Sequence, residues 1–297
     1  MDSSGFARGQ IACAVAPDRE GLIDWLIGSA DALPQASGTS FEHGDIPPGW
    51  LSDAEYQVWS GLRFPKRRRE WLLGRWAAKW LARDAVDGCR GLPPEAITVA
   101  NDPDGAPYVS IRRTGRLPVS LSISHREARV FCAISSSDPA AVGLADGGSF
   151  FCTVGVDVER VERRDPAFVQ DFFTPGEIRR VGQSAEPWRD VLITVMWSGK
   201  EALLKALRHG LRVDTRSVEV SCAAGLDDGR PVPNNFRDAW SDLVVTSSLT
   251  GTGRAVGACW AMEADYVYTL AAVAHMGPEA VEPSSMRLVS LPVVTRP

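Results

Sequence analysis

Two stretches of this chain carry residue types whose spacing suits phosphate chemistry. In Val154-Gly155-Val156-Asp157-Val158-Glu159 the valines alternate with a glycine and two carboxylates. A β-strand sends successive side chains to opposite faces, so Asp157 and Glu159 share one face while the valines turn to a core. The stretch Val191 to Val213, VLITVMWSGKEALLKALRHGLRV, reads as a helix ending near Gly210, with Leu192, Met196, Leu203 and Leu207 on a buried stripe. Glu201 and Lys205 stand one turn apart on another face, with Lys200 alongside. Mg²⁺ is held by one or two carboxylates together with substrate phosphates and water, so these groups suit a divalent cation carrying phosphates. Taken singly, each has a plainer reading: strand carboxylates on a solvated face, and a Glu–Lys helix pair worth about 0.2–0.5 kcal/mol.

The elements that must position these groups are legible in the surrounding pattern. Lys66 to Val86 is predicted as a helix with Leu72, Leu73, Trp76, Ala77, Trp80 and Leu81 on its apolar stripe and Arg75 and Lys79 on its flank. Ile97–Ala100 and Tyr108–Ile111 read as a hairpin around the turn-forming Asn101-Asp-Pro-Asp-Gly105. Val119, Leu121 and Ile123 alternate with Ser120, Ser122 and Ser124, a half-buried strand with a hydroxyl face and with His125 and Arg126 at its end. Val130–Ile134 follows as another strand, and 135–149 reads as a linker or loop. After Val154 come a strand, helices, a hairpin of Ser217–Cys222 with Leu243–Ser247, and strands near Gly257–Met262 and Tyr266–Val273. No residue-level repeat is visible, yet each half places a charged helix before short strands. The division expected is a first lobe over 1–150, loosely patterned through residue 60, a second over 151–276, and an extended or disordered tail over 277–297.

At 297 residues with 44% apolar and 23% charged residues, one or two cores can form. A net charge of −5 argues against a general nucleic-acid binder. Basic clusters nevertheless occur at Lys66-Arg67-Arg68-Arg69, at Arg112, Arg113 and Arg116, and at Arg160, Arg163 and Arg164. They fit either a solvated face or an acidic partner. The six cysteines are scattered singly, as small buried hydrophobes of a reduced protein are. The opening residues lack signal-peptide regions and no apolar run reaches the ~20 residues of a membrane span, so a cytoplasmic location is expected.

These motifs resemble the 4′-phosphopantetheinyl transferases of the surfactin-synthetase-activating type. Gly155-Val-Asp157-Val-Glu159 followed by Trp197-Ser-Gly-Lys200-Glu201-Ala-Leu-Leu-Lys205 is similar to the family's signature pair, and the interval between the two is similar as well. Ser122-Ile-Ser124-His125-Arg126 resembles its Ser-His motif, Arg69 to Lys79 its first helix, and Asp171-Phe172-Phe173-Thr174-Pro175-Gly176-Glu177 its FF-x-x-x-E segment. The matches run in order from Lys66 to Val220.

The resemblance implies an α+β fold of two similar, pseudo-symmetric lobes with the active site in the cleft between them. It implies transfer of 4′-phosphopantetheine from coenzyme A to a serine of an apo acyl or peptidyl carrier protein, releasing adenosine 3′,5′-bisphosphate. Mg²⁺, with Mn²⁺ as an alternative, would be held by Asp157, Glu159 and Glu201. Glu201 and Lys205 would be catalytic, Glu201 as a base acting directly or through a metal-bound water. Arg75, Ser124, His125, Asp157, Lys200 and Lys205 would bind coenzyme A. Glu177 is read as structural or auxiliary. Arg160, Arg163, Arg164 and Phe172 would face an acidic carrier. A monomer is expected. The carrier served, in fatty acid, polyketide, peptide or siderophore synthesis, is not written in the chain, and the standalone length and the Trp197–Val220 match tilt the reading only slightly towards secondary-metabolite pathways. One departure stands out: Gly105-Ala106-Pro107 has alanine where the family commonly has a basic residue, so one nucleotide contact is either missing or supplied elsewhere, with Arg112 and Lys66 as candidates. A coenzyme A or carrier-binding module without catalysis, and a Mg²⁺-dependent nucleotide hydrolase, are the competing readings.

Overall fold

The computed structural model describes residues 6–16, 19–30, 46–136, 151–186, 188–222, 240–251, 254–275 and 286–291. The order of elements is β1 (Phe6–Ala16), β2 (Arg19–Ser29), α1 (Asp53–Gly61), α2 (Pro65–Ala85), β3 (Ile97–Asn101), β4 (Pro107–Ile111), β5 (Gly115–Arg116), β6 (Val119–Arg126), β7 (Arg129–Ser136), β8 (Phe151–Arg160), α3 (Pro166–Phe172), α4 (Pro175–Gln183), α5 (Trp188–Ala206), β9 (Val218–Cys222), β10 (Ser241–Ser247), β11 (Arg254–Glu263), β12 (Tyr266–His275) and β13 (Arg287–Ser290). The fold is α+β.

Two five-stranded antiparallel sheets dominate, in the orders β13-β1-β2-β7-β6 and β8-β12-β11-β10-β9, with a small sheet β3-β4-β5 beside the first. One core fills the space between the two large sheets, from Ile11, Trp25 and Phe131 on one side to Val154, Val156, Val158 and Tyr268 on the other. The outer face of the first sheet packs on α2 through Leu73, Trp76 and Leu81. The outer face of the second packs on α5 through Leu192, Val195, Met196 and Leu203.

The N-terminal stretch read as loosely patterned holds the hairpin β1–β2. Strand β2 hides from a period-2 reading because Trp25, Leu26 and Ile27 are buried in succession, one face on the inter-sheet core and the other on α2. Within the tail expected to be extended or disordered, Arg287–Ser290 pair with Ile11–Ala14 of β1 and so join the first sheet. Of the stretch 135–149, Ser135 and Ser136 end β7 and the rest lies outside the described residues. The long helix stops at Ala206 and not near Gly210, because the chain leaves helical geometry at Arg208, whose φ is +61°.

The two sheets meet at their edges. Along β6, the hydroxyls of Ser120, Ser122 and Ser124 accept the backbone N–H groups of Val154, Val156 and Val158 at 3.0, 3.0 and 3.3 Å. Strand β8 thus has one edge bonded to β12 and the other to a ladder of serine side chains.

The residue-level repeat invisible in the sequence appears in the hydrogen bonds. In the first lobe Ser52 and Glu55 form a capping box at the start of α1. Glu55 also accepts from Val99 N–H (3.0 Å) and pairs with Lys79 (2.5 Å), whose ammonium donates to the carbonyls of Trp50 and Pro94. In the second lobe Thr174 and Glu177 form the same box on α4, and Glu177 accepts from Val220 N–H (2.7 Å). It pairs with Lys200 (2.8 Å), whose ammonium donates to the carbonyls of Thr215 and Val218. The aromatic partners recur as well: Trp50 stacks on Trp76 at 5.7 Å and Phe172 meets Trp197 at 5.3 Å. Both lysines are held below their ordinary pKa by burial, against the pull of the paired glutamate. Breaking a buried pair from one side leaves an uncompensated charge. Lys79→Met and Lys200→Met should therefore each lose about 3–5 kcal/mol of unfolding free energy in urea. Removing both partners together, as in Glu177→Gln/Lys200→Met, should cost less than Lys200→Met alone.

Candidate active site

The strand carboxylates reach the helix because β8 carries a glycine under α5. A Cβ placed on Gly155 would lie 1.9 Å from the carbonyl oxygen of Ala202 and 2.5 Å from the nitrogen of Ala206. Only hydrogen at this position lets α5 lie against β8, and the helix then presents Glu201 and Lys205 beside Asp157. Lys205 Nζ sits 2.7 Å from Asp157 Oδ1 and 3.5 Å from Glu201 Oε2, and donates to the Val156 carbonyl (3.1 Å) and to Ser124 Oγ (3.2 Å). Ser124 donates to Asp157 Oδ1 at 2.9 Å, so this last rung of the serine ladder joins both lobes to the cluster.

Burial and crowding perturb the cluster. Burial first, then the neighbouring Asp157, raises the Glu201 carboxyl to about 7. Burial and Asp157 likewise raise Glu159, against Arg126 and Arg164, whose guanidinium groups lie 3.6 and 3.1 Å from its carboxylate. For Lys205, burial works towards a lower pKa, but Asp157 and Glu201 outweigh it and hold the ammonium above its ordinary value. Asp157 Oδ2 is buried with no hydrogen-bond partner. Among the described residues, no three His, Cys, Asp or Glu side chains already converge as a metal cage. An orphaned carboxylate oxygen beside two carboxyls of raised pKa is nevertheless a donor set that Mg²⁺ with a diphosphate would satisfy.

His125 is the penultimate residue of β6, and burial is the main cause of its lowered pKa, with Arg67 and Lys205 adding to it and Glu70 opposing. Arg75 is nine-tenths buried on α2, stacked 4.6 Å over Trp71, and donates from Nη2 to Asn101 Oδ1 at 2.5 Å. Its Nε is buried without a hydrogen-bond partner. Asn101 opens the turn that holds Ala106. Arg112 and Lys66, the expected replacements for a cation at Ala106, point elsewhere, towards Asp53 (3.5 Å) and Glu70 (3.9 Å). The structure brings Arg208 and Arg212 to that turn instead.

Residues 153–265 match the family model of the 4′-phosphopantetheinyl transferase superfamily. The matched stretch contains Asp157, Glu159, Glu201 and Lys205. Among solved structures, the chain is similar to a holo-(acyl-carrier-protein) synthase from Bacillus anthracis, solved in complex with CoA (3′,5′-ADP). That pair shares 23% identity over 43% of this chain and 96% of the other, with a TM-score of 0.30. A holo-[acyl-carrier-protein] synthase from Thermotoga maritima is similar at 14% identity over 56% of this chain and 76% of the other, also with a TM-score of 0.30. No curated protein gives a significant match.

Other expected site residues are placed differently. Lys200 does not reach the cluster: its ammonium is fully enclosed by Glu177 and two carbonyls, because it stands about 100° round α5 from Glu201. The Lys200 ammonium is therefore not placed to meet a phosphate at the cluster, and Glu177, expected as structural or auxiliary, is its buried partner. Arg160 is committed to Asp265 (2.8 Å) and Glu127 (3.5 Å), and Arg164 to Glu159 and Glu162 (both 3.1 Å), so neither is a free carrier-facing cation. Arg163 is exposed, and Phe172 is exposed beside Phe168 and Trp197. Arg126, beside Glu159, was not singled out; its place directly after the Ser-His pair was the available signal.

A folded-state pKa near 7 on Glu201 makes stability fall with pH: its contribution is complete below the unfolded value near 4.5 and is lost as pH rises through about 7. Glu201→Gln should leave the ligand-free protein about as stable as the parent at pH 4.5. At pH 8 the variant should be more stable by roughly 1–3 kcal/mol in chemical denaturation.

Proposed function

We propose that this protein transfers 4′-phosphopantetheine from coenzyme A to a serine hydroxyl of an apo acyl or peptidyl carrier protein and releases adenosine 3′,5′-bisphosphate. The observation that carries this reading is the Lys205–Asp157–Ser124 contact beside a Glu201 of pKa about 7, inside the stretch that matches the superfamily. Above neutral pH Glu201 is ionised and can take the proton of the serine hydroxyl. The serine oxygen then bonds to the phosphorus bearing the pantetheine arm, and the bond to the nucleotide phosphate breaks. Lys205, charged throughout this range, meets the phosphate oxygens on which negative charge develops. Asp157 through Oδ2, Glu159 and Glu201 would hold Mg²⁺, or Mn²⁺ in its place, which when bound supplies charge neutralisation at the diphosphate.

The nucleotide end falls to Arg75 and His125. With its pKa lowered by burial, His125 is neutral at pH 7 and binds as an N–H donor, leaving the positive charge to Arg75. The unpartnered Nε of Arg75 suits a phosphate oxygen, and the 3′-phosphate is the group assigned to it. Arg163 and Phe172 are the members of the carrier-facing set left open to a partner. No helix among the described residues is long and apolar enough to cross a membrane.

Incubation with coenzyme A, Mg²⁺ and an apo carrier, followed by weighing the carrier, should show the gain of one phosphopantetheine unit. An unmodified carrier with coenzyme A hydrolysed would favour the hydrolase reading, and no reaction would favour the binding module. Asp157→Ala should reduce transfer at least about 100-fold and abolish the rise in melting temperature that Mg²⁺ plus coenzyme A produces. Arg75→Ala should raise KM for coenzyme A much more than KM for its 3′-dephospho analogue; equal losses would place Arg75 outside the 3′-phosphate site.

A further inference from the structure

Just after α5, side chains reach across to the other lobe from a position of backbone strain. Arg208 holds a φ of +61°, a left-handed conformation that costs a residue with a Cβ and is free for glycine. Its side chain explains why it is kept. Nε donates to Asp104 Oδ2 at 2.8 Å and Nη2 to Asp102 Oδ2 at 2.5 Å, both on the turn between β3 and β4. Arg212 donates to the Asp104 carbonyl (2.6 Å) and back to the Arg208 carbonyl (2.7 Å). From the side of the first lobe, Arg116 grips Asp102 with two bonds of 2.8 and 2.9 Å. Strained residues persist where their surroundings over-determine them, and such places cluster at functional sites.

The clamped turn is also internally tied. Asn101 Nδ2 donates to the Gly105 carbonyl (2.7 Å), and Ala106 N–H donates to Asp104 Oδ1 (3.0 Å). Asn101 Oδ1 is the acceptor that holds Arg75 Nη2. A continuous line of contacts therefore runs from the end of α5, the helix bearing Lys205, through Arg208 and the turn to the guanidinium of Arg75.

We propose that Arg208 is a positioning residue for coenzyme A. By clamping the 101–106 turn it fixes Asn101, and through it Arg75, at the spacing from Lys205 that lets one molecule be held at its 3′-phosphate and its diphosphate together. This rests on the transferase reading and adds a residue from the opposite lobe to the nucleotide site. The Arg208 side chain is 43% exposed, and glycine in its place would relieve the left-handed backbone that offsets the lost ion pairs, so the effect belongs to binding more than to stability. The Arg208 guanidinium bonds Asp104 and Asp102, while its backbone N–H alone meets Lys205, at the main-chain carbonyl (2.9 Å), so removing the side chain probes position.

Arg208→Gly removes the side chain and relaxes the backbone, so the melting temperature should not fall. Isothermal titration with coenzyme A should show Kd raised about tenfold, which is about 1.4 kcal/mol. The preference for coenzyme A over 3′-dephospho-coenzyme A should shrink towards unity, with kcat within twofold of the parent. Hydrogen exchange at the 101–106 amides should quicken in the variant. Arg208→Lys, which keeps the charge without the two-pronged fork, should recover part of the affinity. Unchanged Kd and unchanged phosphate preference in Arg208→Gly would overturn the proposal. So would equal losses for both compounds accompanied by a lowered melting temperature, since that describes a structural residue. A parent protein that binds coenzyme A with this Arg208 dependence, yet adds no mass to any carrier, would leave the positioning role standing and sink the transferase reading.

Discussion

The approach of β8 to α5 at Gly155 governs everything built around it. Ala202 and Ala206 are the helix residues whose backbone fills the space where a side chain would stand. Glu201 and Lys205 each precede one of them, so the docking point fixes both side chains against the strand. The alternation of β8 then does the rest: its valines enter the inter-sheet core, and Asp157 and Glu159 necessarily emerge beneath the helix. A charged cluster with one ammonium among three carboxyl groups would not assemble by attraction alone, as the raised pKa values of Glu201 and Glu159 attest. Packing imposes the arrangement, and a ligand can exploit the imposed charge.

What the sequence made legible follows from how local each signal is. The valine alternation, the stripe of α5 and the turn at Asn101–Gly105 are short-range patterns, and each corresponds to an observed element. The clustering of Asp157 with Lys205 was legible through motif resemblance, since no periodicity relates a strand to a helix 40-odd residues away. Strand β2 was missed because burial on both faces erases its alternation, and β13 because its partner β1 lies at the other end of the chain. Lys200 was misplaced for a plainer reason. Being adjacent to Glu201 in sequence puts it about 100° round the helix, and there it meets Glu177.

The repeated Glu–Lys pairs divide scaffold from chemistry. Each lobe hangs its long helix, its capped helix and the first strand that follows on one buried carboxylate. The residue after the paired lysine is Trp80 in the first lobe and Glu201 in the second. One copy of the framework carries an indole where the other carries the perturbed acid. Buried ion pairs are poor sources of net stability but good determinants of a unique arrangement, which is what two lobes built on one plan need.

The serine rungs between β6 and β8 have a consequence for self-association. Sheet edges are adhesive, and these two are occupied by one another: one supplies hydroxyl acceptors at every second residue, the other its unspent N–H groups. A molecule whose lobes parted would carry a matched donor edge and acceptor edge on the same chain. Either could be completed by its counterpart on a neighbouring copy, with no new contact invented, giving an exchanged dimer with each site shared between two polypeptides. The C-terminal strand and the arginine clamp, which bridge the lobes, therefore also guard the protein against trading halves with itself.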